Sequence, residues 1–354
     1  MTPFKLPDRY TQTKEYYEGG QGVVWIYEDT DLARKVAVKF LRPTEEAESL
    51  LKEISSLRAI RSKHIAQIYD LQFSKKNPTR PALIQEYVSG PDLNVIAKQG
   101  VSADAALHIM YQVASGIADI HAAGKIHRDI KPANIKRDSE GIFKLLDFGL
   151  TCDALPFAST SQARGTDPFR APEMYRRAPV TLTPSVDTYA FGVTAWVLLS
   201  RDEIPDALLN TPPQPPGTGF AMLAPGFAPE LLQLLDATLS GTQIDRPSMA
   251  AVKRSIGAHL LYGKHRALVS GSGITPTLLL KPRQAVKLTA GTGHIQIGYD
   301  GLSFRVQDVS DGVFINNVRC GIGKVMPESC VITIGTASNR SFYLFDVSHP
   351  EVVL

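Results

Sequence analysis

Two short sequences decide the fold: HRDIKPAN at residues 127–134, and DFG at residues 147–149, which starts thirteen residues after the first ends. The first offers a carboxylate, an ammonium group and an amide at positions i, i+2 and i+5, and the second adds another carboxylate. The groups are those of Asp129, Lys131, Asn134 and Asp147. A carboxylate can accept a hydroxyl proton, an ammonium group can neutralise a moving phosphoryl group, and oxygen ligands suit Mg²⁺.

A glycine-rich segment, EGGQGVV at residues 18–24, lies between two predicted strands. Backbone without side chains, as at Gly19 and Gly22, can approach phosphate oxygens and donate N–H groups to them. Such a cluster alone is typical of an ordinary hairpin turn. It becomes informative because the next predicted strand ends in VAVK, with Lys39 as its last residue.

A helix is predicted directly after that strand, from Thr44 to Arg61, with an apolar stripe and acidic residues in its first turn. Glu53 lies in this helix, where it could pair with Lys39 and hold the lysine against phosphate groups. Glu48 is the alternative partner, and the spacing favours Glu53.

Together these motifs resemble the eukaryotic-like, bacterial-type Ser/Thr protein kinases over roughly residues 10–262. The resemblance implies an α+β fold with two lobes, a β-rich N-lobe at about 10–88 and an α-rich C-lobe at about 89–262. It also implies ATP and Mg²⁺ as cofactors, with Mn²⁺ as a substitute, and phosphoryl transfer to Ser/Thr hydroxyls of protein substrates and of the kinase itself.

The resemblance assigns a role to each matching residue. Asp129 is the catalytic base, Lys131 assists it, Lys39 and Glu53 form an ion pair, and Asn134 and Asp147 bind the metal. The expected nucleotide contacts are Gly19, Gly22, Val24, Ala37, Lys39, Glu86, Val88 and Asp92, with Gln85 as the residue before the hinge.

Further matches concern structure rather than chemistry. Glu173 of Ala-Pro-Glu is expected to pair with Arg246, and Asp187 to brace the catalytic loop. Two departures stand beside them. Tyr17 occupies the position of the first glycine of G-x-G-x-x-G-x-V, and Asp167-Pro-Phe-Arg170 precedes Ala-Pro-Glu.

Residues 277–354 have another character, with short apolar runs broken by Gly, Asp and Asn, which predicts a small all-β sandwich. SDGVFINN at 310–317 and CVITIG at 330–335 resemble the later strands of forkhead-associated domains, which read phosphothreonine. The early Gly-Arg pair and the S-x-x-H loop of that family have no convincing match here. Phosphoprotein binding and a role in docking or regulation therefore both stay open. SGSG at 270–273 predicts a linker over 263–276.

Composition bounds the partners and the location. Lys and Arg number 38 against 35 Asp and Glu, a net charge of +3 that does not indicate nucleic acid binding. The three cysteines form no C-x-x-C pair, which argues against a zinc site or a disulfide framework. Without a predicted signal peptide or membrane span, we expect a cytoplasmic protein that does not bind a membrane.

Two points of function stay open at this stage. A scaffold that binds nucleotide without turnover is the alternative to an active kinase, with Tyr17 as its support, and a small-molecule kinase of similar fold is a third reading. Arg128, next to the base, suggests control by phosphorylation, for which Ser159, Thr160 and Ser161 are candidates. A metal-dependent Ser/Thr phosphatase is the expected opposing partner.

Overall fold

The computed structural model describes residues 4–19, 22–40, 60–74, 81–147, 151–153, 159–160, 166–176, 180–271, 274–279, 284–336 and 339–351. The chain divides into two compact units, residues 1–253 and 254–354. The predicted helix from Thr44 to Arg61 falls almost wholly outside the described residues, and so does Glu53.

The first unit begins with an antiparallel sheet of five strands in the order β1-β2-β3-β5-β4. Its strands are β1 (Tyr10–Gly19), β2 (Gly22–Asp29), β3 (Arg34–Phe40), β4 (Ile68–Phe73) and β5 (Pro81–Glu86). Alternate residues of β3 and β5, such as Val36, Val38 and Ile84, are fully buried on one face. This period of two places Ala37 and Lys39 on the opposite face.

Helices make up most of the rest of this unit. They are α1 (Leu93–Gln99), α2 (Ala103–Ala122), α3 (Ser185–Ser200), α4 (Asp206–Leu209), α5 (Pro229–Thr238) and α6 (Met249–Leu260), which crosses into the second unit. Short 3-10 helices lie at Pro132–Asn134, Pro172–Tyr175, Phe220–Met222 and Gln243–Asp245. The predicted helices at 102–123, 185–200, 229–240 and 249–261 are confirmed to within two residues.

The two long helices illustrate why these segments are helical. The Ser102 side chain accepts a hydrogen bond from the Ala105 N–H and so caps α2. Thirteen of the sixteen residues of α3 are buried, which matches its nearly continuous apolar sequence. α3 is thus the central helix of this part, and it carries Asp187 in its first turn.

Three short strand pairs come from the chain segments around the site sequences. They are β6 (Lys125–Ile126) with β9 (Cys152–Asp153), β7 (Ile135–Arg137) with β8 (Phe143–Leu145), and β10 (Ser159–Thr160) with β11 (Val180–Thr181). HRDIKPAN runs from the end of β6 into β7, and Asp147 follows β8. An antiparallel sheet joined to a mainly helical part agrees with the predicted α+β arrangement. Within the described part of the chain, no helix combines the length and apolar character needed to cross a membrane.

The second unit contains a six-stranded and a three-stranded antiparallel sheet. The strands are β12 (Ala267–Gly271), β13 (Ile274–Leu279), β14 (Ala285–Ala290), β15 (Gly293–Tyr299), β16 (Phe304–Val309), β17 (Val313–Ile315), β18 (Val318–Arg319), β19 (Ser329–Thr336) and β20 (Asn339–Val347). Buried side chains from both sheets, among them Ile297, Phe304, Ile332 and Phe345, form one apolar core. Two sheets that share a core in this way form a sandwich.

The predicted linker over residues 263–276 differs from the structure. β12 lies inside that range and pairs with both β20 and β13. Alternation explains the strand, since Ala267 and Val269 are fully buried. Gly271 is required by close packing rather than by flexibility, because a Cβ there would lie 2.6 Å from the Tyr343 ring and 2.7 Å from a backbone oxygen.

We expect Gly271→Val to destabilise the second unit by about 1–3 kcal/mol, because the added atoms meet a strand backbone that cannot move aside. Gly321→Ala is the matched control, since no atom lies within 4 Å of its added Cβ. Urea unfolding of both variants measures the difference. Equal stability of the two variants would contradict this account of β12.

Candidate active site

Asp187 holds the backbone at the start of the loop of residues 127–134. Its carboxylate is fully buried, and it accepts hydrogen bonds from the His127 N–H and the Arg128 N–H, both at 2.8 Å, and lies 2.9 Å from His121 Nε2. Burial alone would raise the pKa of Asp187, but the hydrogen bond and charge of His121 and the contacts of His127 outweigh it and lower the pKa. The carboxylate is therefore ionised, and the predicted bracing role of Asp187 is confirmed.

The backbone is strained at two positions near the site, one in the loop of residues 127–134 and one just after β8. Arg128 and Asp147 both have left-handed φ angles, of 66° and 60°, which residues other than glycine rarely adopt. Each such residue costs on the order of 1–3 kcal/mol unless its surroundings impose it. The two hydrogen bonds of Asp187 supply that constraint next to Arg128.

His127 joins the loop to the strand end that carries Asp147. Its ring lies wholly inside the protein, where Nδ1 accepts from the Asp129 N–H at 3.3 Å and Nε2 lies 3.1 Å from the Leu146 carbonyl oxygen. Burial lowers the pKa of His127. A neutral ring with its proton on Nε2 satisfies both contacts.

Asp129 is the centre of a hydrogen-bond network. Lys131 Nζ donates to both of its oxygens, at 3.1 and 2.9 Å, and the Thr166 hydroxyl donates to Oδ1 at 2.9 Å. Asn134 Nδ2 donates to Oδ2 and to the backbone oxygen of Asp129, both at 2.8 Å. The predicted base, its lysine and one predicted metal ligand thus lie around a single carboxylate.

Thr166 extends this network into the segment before Ala-Pro-Glu. Its hydroxyl lies 2.7 Å from Lys131 Nζ in addition to its bond to Asp129. Gly165-Thr166 is a Gly-Thr pair that resembles the Ser/Thr rather than the tyrosine branch of the protein kinases, but the sequence did not predict a direct contact between Thr166 and Asp129. The only available signal was the Gly-Thr pair itself, because no spacing rule relates residue 166 to residue 129.

Asn134 and Asp147 are held side by side by backbone bonding. The Leu146 N–H donates to the Asn134 carbonyl oxygen at 2.8 Å, which places the next residue, Asp147, beside Asn134. The amide nitrogen of Asn134 is used by Asp129, so its side-chain oxygen is left as the group suited to a cation. Among the described residues, no three His, Cys, Asp or Glu side chains are grouped as metal ligands. One carboxylate and one amide oxygen fit Mg²⁺, which usually takes its other ligands from water and phosphate.

Lys39, near the end of β3 in the five-stranded sheet, contacts Asp147. Its Nζ lies 2.5 Å from Asp147 Oδ1, and the Lys39 side chain is only 9% exposed. The lysine of VAVK and the acid of DFG, 108 residues apart, are thus in contact. The predicted partner Glu53 lies outside the described residues, so the Lys39–Glu53 pair stays a prediction.

The predicted nucleotide contacts line up around this position. Val24 pairs with Lys39 across β2 and β3, and Ala37 pairs with Gln85 of β5. Glu86 ends β5, and its carboxylate is bound by Lys144 at 2.7 Å. The nucleotide contact expected of Glu86 is therefore left to its backbone. Gly19 and Gly22 pair with each other at the turn end of the β1–β2 hairpin, and Val88 is buried just after β5.

Asp92 has a structural contact that the sequence analysis did not foresee. Its carboxylate accepts from the Val95 N–H at 3.2 Å and caps helix α1. The ribose contact that the resemblance implies for Asp92 stays a prediction, and it would have to use the remaining acceptor capacity of the carboxylate.

Tyr17 connects three sides of the cleft. Its hydroxyl lies 3.2 Å from the hydroxyl of Tyr87, directly after β5, and its ring centroid lies 5.0 Å from Lys136 Nζ of β7. The hydrogen bond with Tyr17, followed by burial, raises the pKa of Tyr87 to about 12. The sequence showed that a glycine was missing at position 17, but not that the tyrosine would contact residues 70 and more positions away.

The pair Glu173–Arg246 is confirmed as a buried bidentate ion pair. Both of its N–O distances are 2.8 Å, and both side chains are almost fully buried. Arg246 also donates to the backbone oxygens of Ser240 and Ser185. The pair therefore ties the 3-10 helix at Pro172–Tyr175 to the start of α3.

We expect Arg246→Met to lower the free energy of unfolding by about 3–5 kcal/mol, because the Glu173 charge stays buried without its partner. The double variant Glu173→Met with Arg246→Met should recover part of this loss. Lys5→Met is the control, since Lys5 and Asp8 form a fully exposed ion pair, which solvent screens so that it contributes little to stability. A single variant as stable as the control, measured by thermal unfolding, would contradict the argument.

Comparison with known proteins agrees with this geometry. Residues 10–255 match the protein kinase domain family. The chain is 32% identical over 253 residues to the Ser/Thr protein kinase PknA of Mycobacterium tuberculosis, covering 66% of this chain and 57% of that protein. It is 34% identical over 193 residues to a Ser/Thr protein kinase, drp72, of Corynebacterium efficiens, covering 51% of this chain and 37% of that protein. The chain thus spans between about a third and three fifths of the length of these relatives, and over residues 10–255 it belongs to the protein kinase family.

Proposed function

We propose that this protein transfers the γ-phosphoryl group of ATP to Ser/Thr hydroxyls of protein substrates, with Mg²⁺ as the metal. The observation that carries the proposal is the Asp129 network, in which the base contacts Lys131, Thr166 and Asn134 at hydrogen-bond distance. A second support is the contact between Lys39 and Asp147, which brings a cation and a metal-binding carboxylate together. The family membership and the names of the relatives point the same way.

The residues divide the reaction among them. Asp129 accepts the proton of the substrate hydroxyl while the oxygen of that hydroxyl forms a bond to the γ-phosphorus. The bond between the γ-phosphorus and the oxygen that links it to the β-phosphate breaks, and ADP leaves. Lys131, beside Asp129, neutralises charge on the group in transit, and Lys39 holds the phosphates that stay with ADP. Asn134 and Asp147 would hold Mg²⁺, which would supply positive charge to the phosphate oxygens.

The alternative is a scaffold that binds nucleotide without turnover. Tyr17 favours it, because its contacts with Tyr87 and Lys136 narrow the cleft on the side of the hinge. The presence of the whole Asp129 network favours turnover, since binding alone does not require a base hydrogen-bonded to a lysine and a threonine. An activity measurement separates the two.

For the second unit we propose docking or regulation, in line with its resemblance to forkhead-associated domains. His294 is the second residue of β15; its N–H donates to the Ser310 hydroxyl and its Nε2 lies 2.9 Å from Asp308 Oδ2, which ties the start of β15 to the end of β16. Asn316 and Asn317 turn the chain between β17 and β18 with left-handed φ angles of 49° and 63°. Phosphoproteins stay candidate partners of this unit, and a metal-dependent phosphatase stays a candidate partner of the enzyme.

Regulation by autophosphorylation also belongs to the proposal. Ser159 and Thr160 lie in β10, which pairs with β11, while Ser161 lies outside the described residues. Modification of either β10 residue would place a doubly charged group in the segment that precedes Thr166. We keep a cytoplasmic location as a prediction.

We expect Asp129→Asn to lower phosphoryl transfer from ATP to a generic basic protein by about 10²–10⁴-fold, because the amide cannot accept the proton. Nucleotide binding, measured by calorimetry, should persist in the same variant. Asp104→Asn on helix α2 is the control, since Asp104 is an exposed carboxylate whose charged neighbour, among the residues that the structure describes, is His108 one turn along the same helix. Wild-type protein that binds nucleotide without any transfer would support the scaffold instead.

A further inference from the structure

The unusual Asp167-Pro-Phe-Arg170 sequence forms a compact cluster with Tyr175. Arg170 Nη2 lies 2.9 Å from Asp167 Oδ1, and the Tyr175 hydroxyl donates to the same oxygen. The guanidinium group of Arg170 lies over the Tyr175 ring, 4.5 Å from its centroid. Burial, followed by the hydrogen bond to Asp167, raises the pKa of Tyr175 to about 12, so its hydroxyl stays a neutral donor.

This cluster begins one residue after a contact of the catalytic base. Thr166 donates to Asp129, and Asp167 is the next residue in the chain. Neighbouring Cα atoms are about 3.8 Å apart, so this hydrogen bond and the chain between the two residues keep the Asp167 carboxylate within roughly 13 Å of the Asp129 carboxylate. An extended peptide advances about 3.3–3.6 Å per residue. Substrate residues within about three positions of the acceptor therefore pass the cluster.

In this cluster the Asp167 carboxylate is exposed to solvent, whereas the Arg170 guanidinium group is mostly covered. The Asp167 side chain is 58% exposed, whereas that of Arg170 is 23% exposed. Arg170 and Tyr175 both contact Asp167 Oδ1. Among the residues that the structure describes, neither an ion pair nor a hydrogen bond involves Asp167 Oδ2. A carboxylate oxygen with open acceptor capacity favours an ammonium or guanidinium partner.

We propose that Asp167 selects substrates that carry a Lys or Arg side chain close to the acceptor hydroxyl, with Arg170 and Tyr175 holding its carboxylate in place. The proposal rests on the proposed protein kinase function and names a feature of its substrates. Arg170 competes with the substrate cation for the same carboxylate, so removal of Arg170 should strengthen the selection. Asp167 thus acts as a specificity-determining residue and takes no part in the transfer of the proton.

The test uses the full chain and threonine peptides in a neutral background. One Lys is placed in turn at each position from three before to three after the acceptor, and each peptide is compared with its Gln and Glu counterparts. The measured quantity is the ratio of kcat/KM for the Lys peptide to that for the Gln peptide, in wild type, Asp167→Asn and Arg170→Met. Asp104→Asn serves as the exposed-carboxylate control.

We expect wild type to prefer Lys at one position or two by about three- to ten-fold, as befits a hydrogen-bonded ion pair at a partly exposed site. Asp167→Asn should bring the ratio close to one, Arg170→Met should raise it above the wild-type value, and the control should not change it. General damage to the segment would lower kcat/KM for all peptides alike, so opposite shifts of the ratio in the two variants distinguish selection from damage.

A wild-type ratio near one at every position, with Gln peptides still phosphorylated, overturns the role of Asp167 and leaves the kinase function intact. A ratio that survives in Asp167→Asn does the same. Absence of transfer to every peptide and to a generic basic protein overturns the proposed function, and this proposal with it.

Discussion

The buried carboxylate of Asp187 is the contact on which the site depends. It accepts the N–H groups of His127 and Arg128, and so it holds Arg128 in a backbone conformation that would otherwise be unfavourable. The next residue is Asp129, whose side chain therefore enters the cleft in one defined direction. A single charge at the start of α3 thus determines where the Asp129 carboxylate lies, and His121, whose Nε2 is 2.9 Å away, keeps that charge ionised.

Around this fixed loop, the remaining groups come from separate elements. Lys39 comes from β3, Asp147 from the end of β8, and Thr166 from the segment before the buried Glu173–Arg246 pair. That pair anchors the same segment to the start of α3, close in sequence to Asp187. Asp129 and the segment that contains Thr166 are thus both attached to the start of α3, which sets the distance between them.

The chemistry could be predicted from the sequence better than the packing could. HRDIKPAN, DFG and VAVK are local strings, and each predicted a side chain that the structure places near the others. The contact of Thr166 with Asp129 and the capping role of Asp92 were not predicted, because they depend on residues distant in the chain or on one helix end. The linker was predicted over residues 263–276 in part because of Gly271. Glycine occurs both in flexible linkers and where two strands approach closely, and the sequence does not distinguish these two uses.

The size of the Tyr17 contacts bears on the choice between the proposed kinase and the scaffold that binds nucleotide without turnover. A hydrogen bond between two partly exposed hydroxyls contributes about 0.5–1.5 kcal/mol, and a cation near an exposed ring about 0.5–1 kcal/mol. Nucleotide binding in the micromolar range corresponds to about 8 kcal/mol. The contacts of Tyr17 with Tyr87 and Lys136 can therefore be displaced by a nucleotide at a cost of about ten-fold in affinity, whereas they are too weak to keep it out. Under the proposed function, the Tyr17 contacts therefore lower nucleotide affinity and do not oppose turnover by the Asp129 network.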